Sequence, residues 1–238
     1  MAQLINGKEI SSQIKEEVKA QVAKLAEEGT SVCLAVIQGG DDPASSGYVR
    51  NKQQACEYVG SKALSYELPE STTEEELIAL VHELNERRDV NGILVQLPLP
   101  KHMDENDVLL AIDPKKDVDG FHPQSVGALS IGLPGFVSCT PAGIIQLLKR
   151  SGISIEGKHC VIVGRSNIVG KPMALLMLRE NATVTVTHSR TKDLASYTRQ
   201  ADILIVAMGK RQFITSEYVK EGAVVIDVGM HRDENNKL

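Results

Sequence analysis

Tyr48 and Lys52 stand four residues apart, a spacing that puts both on one face of a helix. Ala55 and Val59 continue that face, so a lysine interrupts an apolar stripe. Lys52 has two readings. Its ammonium reaches water at the end of a buried stem, or it is partly desolvated and able to exchange a proton near neutral pH. Tyr48 offers a flat wall for an aromatic ligand. Gln96 closes the apolar run Ile93-Leu94-Val95, and an amide among such neighbours needs hydrogen-bond partners that a lysine or a ligand can provide. Asp119 lies in Asp117-Val118-Asp119-Gly120-Phe121, where glycine permits a tight turn. Its carboxylate either caps a helix or accepts two N–H groups from an amino-pyrimidinone edge.

A second group of residues suits a phosphate. Cys160 to Val163 reads as a buried parallel strand, Gly164 to Gly170 as a glycine-punctuated turn, and Met173 to Leu178 as a helix. Backbone N–H groups at the start of such a helix face an anion, and glycine lets the anion approach. Gly164, Arg165 and Ser166 are the candidate contacts. The turn departs from G-x-G-x-x-G, because Ser166 replaces the second glycine and Gly170 falls one place late. The alternative is a plain strand-to-helix turn. The apolar run 183–187 ends in His188-Ser189-Arg190, where an NAD-specific site would carry a carboxylate for the ribose hydroxyls. Ser189 and Arg190, with Arg165 from the turn, would instead welcome a 2′-phosphate, which favours NADP; the alternative is a solvated basic turn. Met230, after Asp227-Val228-Gly229, falls near the nicotinamide end of such a site or simply packs.

The elements that must position these groups follow from periodicity. Ile10, Ile14, Val18, Val22 and Leu25 predict an amphipathic helix over 8–28, ended by Gly29. Ser31 to Ile37 reads as a strand, and Pro43, after an aspartate cap, opens a helix to about Val59. Lys62 to Leu68 reads as a strand, a helix capped by Thr72 or Thr73 runs through Leu84, and Gly92 to Leu97 is a strand stopped by Pro98. A loop-rich stretch follows around Lys115 to Gly120 and again around Gly132 to Pro141. A helix over 141–150 joins a second unit: strand 160–163, helix 172–180, strand 183–187, helix 192–200, strand 202–207, helix 215–220 and strand 223–228. The expected fold is α/β with two domains: a parallel-sheet substrate domain over 1–139 and a Rossmann-type NADP-binding domain over 140–238. Such a domain would normally add a further strand and helix after Asn235-Asn236-Lys237-Leu238, so the second domain is expected to be truncated at its C-terminus.

Composition narrows the class. At 238 residues, 42% hydrophobic and 24% charged, the chain suits one large or two modest domains. A formal net charge of -5 argues against nucleic acid or a membrane surface as partner. No apolar run is long enough to span a bilayer, and the first residues carry no basic-then-apolar signal, so a cytoplasmic location is expected. Of the 4 cysteines, Cys33 and Cys160 lie in apolar runs and Cys56 in a helix pattern, as small core residues do. The histidines are scattered with no metal-ligand spacing, so no metal is expected.

Taken together, the motifs resemble the bifunctional methylenetetrahydrofolate dehydrogenase/methenyltetrahydrofolate cyclohydrolase family along the whole chain. Tyr48-Val49-Arg50-Asn51-Lys52 resembles its Y-x-x-x-K, and Val95-Gln96-Leu97-Pro98-Leu99-Pro100 its V-Q-L-P-L-P. Lys116-Asp117-Val118-Asp119-Gly120-Phe121 matches K-D-V-D-G-F, Cys139-Thr140-Pro141 matches C-T-P, and Gly164 to Pro172 matches G-x-S-x-x-V-G-x-P. The late D-V-G is Asp227-Val228-Gly229. Two departures are the family's P-G-G-V-G-P-x-T segment with its final helix, which has no counterpart here, and Ser138 in place of the usual proline. The resemblance implies NADP-dependent oxidation of 5,10-methylenetetrahydrofolate and hydrolysis of the methenyl product to 10-formyltetrahydrofolate. It implies tetrahydrofolate one-carbon derivatives as ligands, a homodimer through the cofactor domain, and a place in one-carbon metabolism and purine biosynthesis. Lys52 would transfer protons, held by Gln96; Asp119 would hold the pterin and Tyr48 face the aminobenzoate ring. A two-domain NADP dehydrogenase of the shikimate dehydrogenase kind and a non-catalytic nucleotide-binding scaffold are the competing readings.

Overall fold

Asn6 opens the first helix, α1 (Gly7–Glu27), by accepting the Glu9 N–H on its side chain. The computed structural model describes residues 2–40 and 43–230, and the chain divides into two units, Met1–Gly127 and Ala128–Leu238. In the first unit follow β1 (Cys33–Gly39), α2 (Pro43–Val59), β2 (Lys62–Leu68), α3 (Glu74–Glu86), β3 (Gly92–Gln96) and α4 (Glu105–Ala111), and α5 (Pro123–Ile131) runs across the division. Thr73 rather than Thr72 caps α3, in a reciprocal pair with Glu76. The strands form a parallel sheet in the order β2-β1-β3. Alternate side chains divide its two faces. Cys33, Ala35, Ile37, Ile93 and Val95 pack with Leu77, Val81 and Leu84 of α3 and Val108 of α4. Val36 and Leu94 turn the other way, onto Val49 of α2. In register, Gln38 of β1 lies opposite Gln96 of β3.

The second unit holds α6 (Cys139–Arg150), β4 (His159–Val163), α7 (Gly170–Arg179), β5 (Thr183–Thr187), α8 (Leu194–Thr198), β6 (Ile203–Val206) and β7 (Val224–Asp227). Its sheet is parallel, in the order β5-β4-β6-β7. The order reverses between β4 and β6, and the carboxyl ends of the strands flanking that point are where open α/β sheets bind ligands. At the opposite edge, Asp202 accepts the His159 N–H at 3.0 Å and the Lys220 ammonium at 2.6 Å, tying the starts of β4 and β6 to the segment before β7.

Several elements differ from expectation. The loop-rich stretch contains α4, capped by Asp104 through the Asn106 N–H, and α5. Both are short and offer little periodicity to read. The helix expected over 192–200 is only α8, because Asp193 takes a left-handed φ of 46° just before it. The helix expected over 215–220 is a 3₁₀ turn, Ser216–Tyr218. In α1 only Ile10 and Val22 of the expected stripe are buried. The two units divide at 127/128, inside α5. The aspartate cap before Pro43 and the residues after Met230 lie outside the described residues. Among the described residues, no helix is long and apolar enough to cross a membrane.

Candidate active site

Lys52 projects from α2 to the carboxyl edge of the first sheet. Its Nζ donates to Gln96 Oε1 at 2.8 Å, and Gln96 Nε2 donates to the Leu97 carbonyl at 2.7 Å. One amide thus uses its acceptor on the lysine and a donor on its own chain, which orients it. The Lys52 Nζ is also 5.5 Å from the centre of the Tyr48 ring, within cation–π range. Tyr48 is 39% exposed, so the ring is a partly open wall. The buried side of α2 is not the one expected. Val49 faces the core, while Lys52, Ala55 and Val59 are half-buried. The lysine therefore flanks the apolar stripe, and its amine emerges beside Gln96.

Asp119 is half-buried. Burial pushes its carboxyl up from 3.8 to about 6, with the Lys52 charge opposing that shift and Asp117 adding to it. The loop that carries it is anchored on both sides. Lys116 Nζ donates to the carbonyls of Leu84, Asn85 and Arg87 at 3.0, 2.7 and 2.7 Å, filling open acceptors at the end of α3. Asn85 donates to the Ala111 carbonyl and accepts the Asp113 N–H. Asp117, 1% exposed, accepts the His122 N–H and the Ser125 hydroxyl, each at 2.9 Å. Asp117 thus ties its loop to the entrance of α5, where His122 Nδ1 accepts the Gln124 N–H.

In the second unit Gly164 ends β4 at φ 133°, and its N–H donates to the Thr187 carbonyl at 2.9 Å. A Cβ on Gly164 would lie 2.3 Å from the Ala207 carbonyl oxygen, and one on Gly170 would lie 2.4 Å from the Gly164 oxygen. Both positions exclude any side chain, so the backbone itself lines the cradle. Ser166 Oγ accepts the N–H groups of Val169 and Gly170 at 3.2 and 3.3 Å, shaping the turn into α7. Buried Ser138 donates to the Ile168 carbonyl at 2.7 Å and holds the turn from outside. These are the features a dinucleotide's pyrophosphate requires, so the residues fit the cofactor. Arg165 and Ser189 are both exposed, one past the end of β4 and the other past the end of its neighbour β5. Met230, 54% exposed, follows β7, which is separated from β4 by β6. Among the described residues, no group of His, Cys, Asp and Glu side chains is gathered to hold a metal ion.

The structure therefore joins Lys52 to Gln96 and Tyr48, and brings Asp119 within their electrostatic reach. It also places Gly164, Arg165 and Ser166 in one turn. Gln38 escaped the sequence reading. Its signal was the same as that of Gln96, an amide closing an apolar strand, and it is 4% exposed.

Family models match both units. The catalytic domain of the tetrahydrofolate dehydrogenase/cyclohydrolase family matches residues 5–119, and that family's NAD(P)-binding domain matches residues 138–238. The chain is 69% identical to the bifunctional protein FolD of Lachnoclostridium phytofermentans, over 100% of this chain and 84% of that protein. It is 52% identical to the solved bifunctional FolD, a methylenetetrahydrofolate dehydrogenase/cyclohydrolase, from Campylobacter jejuni, with a TM-score of 0.96 over 99% of this chain and 84% of that one. The Trypanosoma brucei dehydrogenase-cyclohydrolase, solved with NADP cofactor and an inhibitor, is 39% identical with a TM-score of 0.93, over 98% of this chain and 81% of that one. Shikimate 5-dehydrogenase of Thermus thermophilus, at 19% identity and a TM-score of 0.54 over 82% of this chain and 78% of that one, shares the fold alone.

Proposed function

The chain belongs to the tetrahydrofolate dehydrogenase/cyclohydrolase family, and we propose that Lys52, Gln96, Tyr48 and Asp119 carry its folate chemistry while Gly164, Arg165, Ser166, Ser189 and Met230 hold its NADP. It is a bifunctional enzyme that oxidises 5,10-methylenetetrahydrofolate with NADP and hydrolyses the methenyl product to 10-formyltetrahydrofolate. The shikimate dehydrogenase reading has a shared fold in its favour and no more.

The chemistry that NADP supplies when bound is acceptance of a hydride. The residues of this chain bind, orient and move protons. Ionised Asp119 accepts the N–H groups of the pterin edge, and Tyr48 faces the aminobenzoate ring. The Ser166-shaped turn and its two glycines receive the pyrophosphate, and Arg165 and Ser189 receive the 2′-phosphate. In the hydrolytic step the Lys52 amine takes a proton from the water that adds to the methenyl carbon. It returns that proton to the ring nitrogen as the carbon–nitrogen bond breaks, and the proton left on the added oxygen passes to solvent as the formyl carbonyl forms. Gln96 keeps the amine pointed at the reacting carbon. The observation that carries this reading is the 2.8 Å Lys52–Gln96 hydrogen bond beside the Tyr48 ring.

Lys52→Met keeps the stem and removes the amine. Hydrolysis of methenyltetrahydrofolate should fall by roughly 10²–10⁴-fold, with the methenyl compound accumulating, while oxidation of methylenetetrahydrofolate falls less. Hydrolysis at the parental rate would refute the role. The same reading divides the functional domains at 139/140, where α6 begins, and takes the enzyme as a cytoplasmic homodimer through the cofactor unit. Its formyl product would feed purine biosynthesis, with neither nucleic acid nor a membrane as partner; the net charge of -5 supports that last point.

A further inference from the structure

Gln38 is a buried amide that the chemistry above leaves unused. Its Nε2 donates to the Gly40 carbonyl at 3.0 Å and to the Ser46 hydroxyl at 2.9 Å. Gly40 follows β1, and Ser46 lies near the start of α2. Gln38 is opposite Gln96 in the sheet register, as Val36 is opposite Leu94, so the four side chains share one face of the sheet. Ser46, Val49 and Lys52 recur at intervals of three along one side of α2. The two sets meet in order: Ser46 on Gln38, Val49 on Val36 and Leu94, and Lys52 on Gln96. Helix α2 is thus seated at an apolar centre between two side-chain amides, each of which also binds a carbonyl of the loop following its own strand.

An apolar contact at Val49 alone would let the helix slide or rotate, because dispersion and hydrophobic attraction have little direction. Two hydrogen bonds on either side of it have direction. A hold on the first turn of α2 through Ser46 adds to the hold that Gln96 has on Lys52. We infer that Gln38 is a positioning residue for the cyclohydrolase reaction, acting through Ser46 to set where the Lys52 amine meets Gln96. This rests on the proton-transfer role proposed for Lys52.

The test is a double-mutant cycle on the full chain, with Gln38→Met and Ser46→Ala singly and together, and Lys52→Met in parallel. The readouts are methenyltetrahydrofolate hydrolysis, the KM for NADP in the dehydrogenase assay, and the melting temperature. Misplacement of a reacting group by about 1 Å can cost up to roughly 10²-fold, and a smaller shift of α2 should lower the hydrolytic kcat by about tenfold. Both single variants should show that loss, and the double variant no more than either, since both break one contact. The KM for NADP should not move, and Ser46→Thr, which keeps the hydroxyl, should restore hydrolysis. Unchanged hydrolysis in Gln38→Met or Ser46→Ala, with Lys52→Met inactive, overturns this inference and leaves the Lys52 role standing. Multiplying losses in the double variant, or equal losses in both activities that follow the melting temperature, also overturn it. Parental hydrolysis by Lys52→Met overturns the Lys52 role and this inference together.

Discussion

Folate binding should titrate with Asp119. Its carboxyl is pushed up to about 6 from 3.8, chiefly by burial, and only the ionised form can accept both N–H groups of a pterin edge. At pH 7 about nine-tenths of the free protein carries the competent carboxylate, and at pH 5 about one-tenth. Below the titration point kcat/KM for methylenetetrahydrofolate should therefore fall by about tenfold per pH unit. Stability has the opposite sign. The folded carboxyl holds its proton more tightly than the unfolded one, so its contribution is fully present below about 3.8 and is lost as pH rises through about 6. Asp119→Asn removes the buried charge. It should raise stability at pH 8 by up to about 3 kcal/mol while weakening folate binding and abolishing the break in the profile. The assays are kcat/KM for methylenetetrahydrofolate from pH 5 to 8 and urea unfolding at pH 8, on both proteins. A break at the position of an ordinary exposed carboxylate, or the same break near 6 in the asparagine variant, would show that Asp119 is not the group responsible.

Arg165→Ala removes a charge-assisted hydrogen bond worth about 1.5–3 kcal/mol. It should weaken NADP by about tenfold or more and leave NAD unchanged, read by calorimetric titration of both; equal losses would make Arg165 a support of the turn only. Gly164→Ala forces a side chain against the Ala207 carbonyl at a φ of 133°. Thermal melts should show a loss of at least about 1–3 kcal/mol, and NADP titration a loss of binding; an unchanged melt would mean that the β4–β6 edge is loosely packed. Asp202 is held down at about 2 by the Lys220 ammonium and the His159 N–H. Its contribution to stability is present above about 3.8 and lost as pH falls toward 2. Asp202→Asn should flatten the melting temperature over that window; an identical acid profile would remove Asp202 from the account.

The strands and the longer helices were legible because burial writes a period into the chain. Lys62 to Leu68 alternates and is β2 with those bounds. A threonine at 72 or 73 ahead of acidic residues announces α3, and the structure gives the cap to Thr73, paired reciprocally with Glu76. The glycine turn at 164–170 was legible for a similar reason. Close backbone approach leaves room for no other residue at Gly164 and Gly170, so the geometry shows as composition. Helices α4 and α5 were not legible, because short helices owe little to their own periodicity and much to what they pack against. The same dependence hid the side of α2 that faces the core. The sequence reads Lys52 on a stripe with Ala55 and Val59, and only the position of Val36 and Leu94 selects Val49, on the neighbouring side, as buried.

The site divides along that line. Residue types proclaimed a lysine and an amide, because each is out of place among apolar neighbours; Asp119 and Tyr48 were candidates by their chemistry, strengthened by the family resemblance. Their assembly belongs to the tertiary structure, because hydrogen bonds and desolvation depend on distance in space. Parallel pairing brings Gln38 opposite Gln96 from strands far apart in the chain. Lys116 and Asp117 are occupied at the end of α3 and the start of α5. That leaves Asp119 as the carboxylate of its loop that burial raises toward neutrality, a property no spacing in the sequence encodes.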